Sequence, residues 1–182
     1  MINMPGGGRL VVGVSGSPGS LCAFRYALCV AHTYGVPLVA VLAWVPPGGN
    51  MAERRFPSPE LRRLWADAAG NKLADALNAA CGALPDSLAI RRVIVRGETG
   101  PALVNIAEAR DLLVLGGGRR GAWSRLHHGQ IVRYCLAHAR CPVLTVPHPA
   151  TARQLGLGPG VWAARRRELY LNRALRDWDS AG

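Results

Sequence analysis

Two glycine-rich segments hold the residues best suited to chemistry. The first is Gly13-Val14-Ser15-Gly16-Ser17-Pro18-Gly19-Ser20. The second runs Gly116-Gly117-Gly118-Arg119-Arg120-Gly121 and continues to His127-His128-Gly129-Gln130. Glycines permit positive φ and close ligand approach, and a helix that begins after such a loop offers free N–H groups to an anion. An ordinary strand-to-helix turn needs the same residue types, so the first segment alone is weak support for a site. The second could wrap phosphates in backbone amides, with Arg119, Arg120 and Arg125 adding charge, although loop arginines are more commonly solvated. It is not a P-loop, which needs a Lys and a Ser or Thr after its last Gly. The first strand also lacks the Gly-x-Gly-x-x-Gly dinucleotide fingerprint.

The same residues give little support to catalysis. Ser15, Ser17 and Ser20 have no His and acid partners in defined roles, and serines at a helix start are usually caps. His127 and His128 adjoin the glycine loop, but adjacent side chains on a helix or turn point apart. His32 and His138 fall in helical segments, where a packed or solvent-facing imidazole is the default. Asp111 opens a strand and suits a cap or turn better than a general base. The five cysteines, at 22, 29, 81, 135 and 141, form no Cys-x-x-Cys pair and no Cys/His cluster with metal-ligand spacing. Cys22 and Cys29 lie seven apart on one helical face and read as small buried thiols. No catalytic residue and no metal site is expected, and the cysteine usage suits a reducing cytoplasm.

The elements that would position these loops alternate regularly. Leu10–Val14 reads as a buried strand, followed by a helix from Leu21 to about Tyr34, with Ser20 as N-cap and Gly35 as its stop. Leu38–Trp44 is a second strand, closed by Pro46-Pro47-Gly48-Gly49. Ser58 caps a long helix to about Cys81, with apolar residues at helical spacing from Leu61 to Ala80. Leu88–Val95 is the third strand and Pro101–Ala109 a short helix with Pro in its first turn. Leu112–Leu115 is the fourth strand, Gly129–Ala139 the fourth helix and Pro142–Val146 the fifth strand. Right-handed crossovers turn this βαβαβαβαβ pattern into an α/β three-layer sandwich around a mostly parallel sheet, with ligands expected at the carboxyl ends of the strands. Residues 1–148 form this domain. Residues 149–182 are a Gly/Pro-rich linker and a helical extension that packs on the domain or on a partner subunit. Trp162, Leu169, Leu171, Leu175 and Trp178 do not make one clean stripe in it.

Composition narrows the class. The chain has 182 residues, 49% hydrophobic and 18% charged, which is globular. The longest uncharged apolar stretch, Val36–Val45, is far short of the roughly 20 residues that cross a bilayer, and the N-terminus has no basic region before an apolar run. Neither a membrane span nor a secretory signal is expected. The net charge of +11 comes from 22 basic and 11 acidic residues, and Lys72 is the single lysine. Clustered arginines would suggest a nucleic-acid partner. No run exceeds Arg165-Arg166-Arg167, and only 6% of the residues are aromatic. Nucleic acid is therefore not the expected partner.

Residues 9–148 resemble a universal stress protein domain. The matches are Arg9-Leu-Val-Val-Gly-Val-Ser-Gly-Ser-Pro-Gly-Ser20, Pro37-Leu-Val-Ala-Val-Leu-Ala-Trp44, Asp111-Leu-Leu-Val-Leu-Gly-Gly117 and Gly129-Gln-Ile-Val-Arg-Tyr-Cys-Leu-Ala-His-Ala-Arg-Cys-Pro-Val-Leu-Thr-Val146. The resemblance implies the adenine nucleotide alpha hydrolase-like fold, with five parallel strands in the order 3-2-1-4-5. It also implies a homodimer through the last strand, Pro142–Val146. Some members bind ATP through Gly-x-x-Gly, nine residues, then Gly-Ser or Gly-Thr, together with an Asp after the first strand; others lack these residues and do not bind it. On that pattern the pocket comprises Ser15, Ala43, Gly116, Gly117, Arg119, Gly129, Gln130 and Ile131.

Three of these depart from the ATP-binding pattern. The second glycine is Arg119, the Ser or Thr after the third is Gln130, and the Asp is Ser15. An arginine at the second glycine position blocks backbone approach to phosphate or clamps it, and a Ser hydroxyl cannot match a carboxylate that accepts two hydrogen bonds. The expected function is a regulatory or binding module with a weak or lost ATP pocket and no required cofactor. The alternatives are an ATP-binding, slowly hydrolysing protein and an anion- or nucleic-acid-binding protein acting through dispersed arginines.

Overall fold

The computed structural model describes residues 7–55, 57–81, 90–117 and 122–147. The five strands are β1 (Leu10–Gly13), β2 (Leu38–Trp44), β3 (Ile90–Arg96), β4 (Leu112–Gly116) and β5 (Val143–Val146). The helices are α1 (Pro18–Tyr34), α2 (Gly49–Arg55), α3 (Pro59–Cys81), α4 (Thr99–Ile106) and α5 (Ala122–His138). All strand pairs are parallel, in the order β3-β2-β1-β4-β5.

The central strands are apolar on both faces because both faces are covered. Leu10, Val12, Leu38, Ala40, Leu42 and Val114 pack with Phe24, Ala27 and Leu28 of α1 and Leu73 and Leu77 of α3. Their neighbours Val11, Val39, Val41, Leu113 and Leu115 pack with Leu103 of α4 and Cys135 of α5. The period-two alternation of a strand thus feeds two cores, one on each side of the sheet.

Several boundaries move for local reasons. Helix α1 begins three residues earlier than expected, and its N-cap is Ser17 rather than Ser20. Pro18 fits the first turn, where no amide is needed, and the Ser17 hydroxyl accepts from the Ser20 amide at 3.3 Å. Ser58 does cap α3, its hydroxyl accepting from the Leu61 amide at 3.2 Å. Helix α2 was not expected, and the polar stretch after β2 forms it. Helix α4 starts at Thr99 and stops at Ile106.

The largest change is in α5. It starts at Ala122, two turns before the expected start at Gly129. A helix interior tolerates one glycine at a cost of about 1 kcal/mol, and the stretch from Ala122 to Leu126 is free of proline and glycine. The extension 149–182 lies outside the described residues. Among the described residues no helix is long and apolar enough to cross a membrane.

Candidate functional site

The strand order reverses at β1 and β4, so a ligand crevice is expected at their carboxyl ends. The loop from β1 to α1 and the exit of β4 meet there. Gly16 has φ +80°, a left-handed turn that glycine supplies without strain. It turns the chain so that the three serines converge. Ser15 Oγ donates to Ser17 Oγ at 3.0 Å and lies 3.3 Å from Ser20 Oγ, and the Ser15 amide donates to Ser20 Oγ at 3.2 Å. Ser20 Oγ in turn donates to the Ser17 carbonyl at 2.9 Å. Ser20 is buried and Ser15 exposed. These hydroxyls bond one another and the α1 cap, which is the role of structural serines.

The β4 exit is equally occupied. A Cβ on Gly19 would lie 2.6 Å from the Gly117 carbonyl oxygen, and one on Gly116 would collide with the backbone of Gly19 and Ser20. The bare Cα of Gly116 therefore admits the first turn of α1. The Gly117 amide donates to the Val146 carbonyl at 2.7 Å, so this N–H already has a partner.

Gly129 and Gln130 sit well inside α5, beyond the four free amides at a helix start, so their N–H groups belong to the intrahelical ladder. Gln130 is exposed, and Ile131 packs partly buried against the α4–α5 core. Ala43 is half-buried near the carboxyl end of β2, opposite Val95. Arg119 lies outside the described residues, as do Gly118, Arg120 and Gly121. His127 and His128 fall within α5, but their side chains lie outside the described residues. The fold thus brings Ser15, Gly116 and Gly117 to one crevice and sets Ile131 against a core. Of the amides at this crevice, that of Gly117 is paired with Val146 and that of Ser20 with the Ser17 hydroxyl.

Two features were not read from the sequence. Glu53 on α2 is buried, and its Oε1 accepts from Arg62 Nε at 2.7 Å and from Arg96 Nη1 at 3.3 Å, while Oε2 pairs with Arg96 Nη2. This triad ties α2 to the start of α3 and the end of β3. Its members are distant in sequence, so no local pattern announces it. The second is Lys72, the single lysine, whose Cε lies 3.8 Å from where a Cβ on Gly16 would sit. Helix α3 therefore borders the β1–α1 loop.

Asp111 is structural, as its strand-opening position suggested. It is buried at the amino end of β4, away from the crevice, and takes the Arg9 amide at 2.9 Å, Arg9 Nη2 at 2.7 Å and the Glu108 amide at 2.9 Å. Burial pushes its pKa up, but the hydrogen bonds from Arg9 and the two amides prevail and hold it below the usual carboxylate value. Cys22 and Cys29 are half-buried rather than buried, while Cys135 and Cys141 are buried. Burial, aided by Cys141, pushes the Cys135 thiol up to about 11, so it is a packing group and a poor nucleophile.

Comparisons with known proteins agree with this architecture. The model of the universal stress protein family matches residues 8–147. A universal stress protein of Mycobacterium tuberculosis is 31% identical over 140 residues, covering 77% of this chain and 44% of the relative. The chain spans about half the length of the curated relatives it matches, 44% and 51% in two cases. A universal stress protein solved in complex with cAMP is 27% identical, with TM-score 0.50, over 76% of this chain and 95% of the other. The universal stress protein UspA from Lactobacillus plantarum has TM-score 0.53 at 20% identity, over 77% and 97% of the two chains, a likeness of fold. With a family match spanning nearly all of the described residues and the same sheet order, the chain belongs to the universal stress protein family.

Proposed function

We propose that this chain is a regulatory binding module whose adenine-nucleotide pocket has lost its grip on the triphosphate. The observation that carries this reading is the state of the backbone amides. Gly117 N–H is spent on Val146, and the amides of Gly129 and Gln130 are inside α5. A phosphate needs several convergent N–H donors, and each of these has another partner. Ser15, in place of a carboxylate, is already shared with Ser17 and Ser20.

These losses weigh more on a triphosphate than on a cyclic monophosphate, whose single phosphate asks for fewer donors. A relative 27% identical to this chain was solved with cAMP, which supports testing that ligand beside ATP. Titration calorimetry at matched pH and ionic strength is expected to give ATP, with magnesium, a Kd above about 100 μM, a free energy of roughly −5.5 kcal/mol or weaker. Cyclic AMP is expected to bind at least as well as ATP. Sub-micromolar ATP binding would overturn the reading.

We also infer a homodimer through β5. It is one of the sheet's two edge strands, an unpaired edge is a template for another strand, and the family resemblance favours it over β3.

A further inference from the structure

Lys72 is the single lysine among the chain's 22 basic residues. Arg9, Arg25, Arg62 and Arg96 spend their guanidinium donors on carboxylates and carbonyls of the fold. Lys72 does not. It is exposed, and among the described residues no hydrogen bond or ion pair engages it. Its stem is nonetheless placed. The residue stands on α3 between the buried Ala69 and Ala76, three before it and four after, and its Cε lies 3.8 Å from where a Cβ on Gly16 would sit. The ammonium, one bond further on, therefore borders the β1–α1 loop, where Ser15 and Gly16 are exposed.

The surroundings leave that charge unbalanced. Residues 10–24, 38–52 and 112–117, which include the carboxyl ends of β1, β2 and β4, hold no Asp, Glu, Lys, Arg or His. Glu53, the first acid after β2, is committed to Arg62 and Arg96. Asp75, one turn along α3, is exposed and does not pair with Lys72. A cation beside exposed hydroxyl-bearing loop residues, with no carboxylate to neutralise it, is complementary to one negative charge on a group that also accepts hydrogen bonds.

That complementarity sorts ligands by charge. One ammonium matches the single charge of a cyclic monophosphate. A triphosphate needs several converging amides as well, and those of Gly117 and Gln130 are otherwise engaged. Lysine also suits the place better than arginine would. Its ammonium is a compact point charge with three rotatable donors, whereas the guanidinium fork is fitted to fixed bidentate partners.

We propose that Lys72 is the specificity-determining residue of the crevice, its ammonium donating to the phosphate of an adenine mononucleotide bound against Ser15 and Gly16. The inference rests on the reading of the crevice as a mononucleotide site and names the side chain that supplies its charge.

Two measurements on the full chain test it. Titration calorimetry of Lys72→Met with cAMP should show an affinity lower by at least about tenfold, the loss of one charge-assisted hydrogen bond. Lys72→Arg should lose less, and adenosine, which lacks the phosphate, should respond alike to the parent and Lys72→Met. Thermal unfolding of Lys72→Met is expected to match the parent, because the side chain is exposed. The second measurement labels the protein with an amine-reactive acetyl ester. Lys72 is the one side-chain amine of the chain, so the mass of its peptide reports on it alone. Saturating cAMP should suppress this labelling, and adenosine should not. If Lys72→Met binds cAMP as tightly as the parent, or if cAMP leaves the labelling unchanged, the proposal is overturned and the mononucleotide reading stands. Sub-micromolar ATP binding that Lys72→Met still weakens tenfold overturns that reading and keeps Lys72 as the phosphate contact. A parent that binds no cAMP overturns both.

Discussion

Alanine at Gly19 and at Gly129 should move stability in opposite directions. A Cβ on Gly19 would sit 2.6 Å from the Gly117 carbonyl oxygen and 3.5 Å from its carbon. Ordinary C···O contacts start near 3.3 Å, so the two backbones must part by roughly 0.7 Å. Neither side yields easily. Gly117 is tied to β5 through its bond to Val146, and Gly19 is buried in the first turn of α1 beside the Ser15–Ser17–Ser20 cluster. Overpacking costs about 1–3 kcal/mol, and a clash between two fixed backbones belongs at the upper end, about 3 kcal/mol. For a chain of this size that lowers the Tm by roughly 6–12 °C. Gly129 is the opposite case: it lies inside α5, and no described atom lies within 4 Å of its added Cβ. Alanine there should gain about 0.5–1 kcal/mol, a rise of roughly 1–4 °C. Thermal unfolding followed by circular dichroism, without ligand, reads both. If Gly19→Ala melts within 2 °C of the parent, the crevice between β1 and β4 is open and the reasoning fails. If Gly129→Ala melts lower, α5 starts near Gly129 and its amides are free for a phosphate.

Two further outcomes follow from the other ties. Asp111 has a depressed pKa in the fold, so its ionised form stabilises the protein above its unfolded value of about 3.9, and that contribution is lost as pH falls through the folded value. Asp111→Asn should cost about 2–3 kcal/mol at pH 7, somewhat below a fully buried pair because Arg9 is partly exposed. The gap to the parent should begin to narrow below about pH 4 and go on shrinking as pH falls through the depressed folded value, and denaturant unfolding from pH 2 to 7 that shows a constant gap would count against this. For the β5 dimer, light scattering should report twice the chain mass of 19.4 kDa, and a single-chain mass would remove it.

The sheet was legible because burial on both faces writes itself into consecutive residues. Leu38–Trp44 and Leu112–Gly116 have no polar side chain to interrupt them, and their length and flanking turn residues favour a strand over a buried helix. The order of the strands was legible only through the family resemblance, since nothing local sets it. The start of α5 was misread because Gly129 has the appearance of punctuation, whereas its cost inside a helix is small enough for the flanking turns to absorb. The Glu53 triad was invisible for a different reason. Its arginines are nine and 43 residues away, and a polar stretch between a strand and a helix gives no sign that one carboxylate turns inward.

The arginine excess also acquires a structural meaning. Arg9 reaches both oxygens of Asp111, the Ile106 carbonyl and Glu108 from one side chain. Arg25 covers two carbonyls at the end of α3, and Arg62 and Arg96 converge on Glu53. Each of these arrangements uses the planar fork of the guanidinium, several donors held in fixed directions, which a lysine ammonium on a flexible stem cannot reproduce. Charges committed to internal acceptors at both ends of the sheet are not free to neutralise a phosphate backbone. These four arginines and the carboxylates Glu53, Glu108 and Asp111 together carry a net charge of only +1, so most of the chain's +11 lies elsewhere. The part left uncommitted by these ties includes the exposed Arg91 and Arg92 of β3 and the arginines after Pro147.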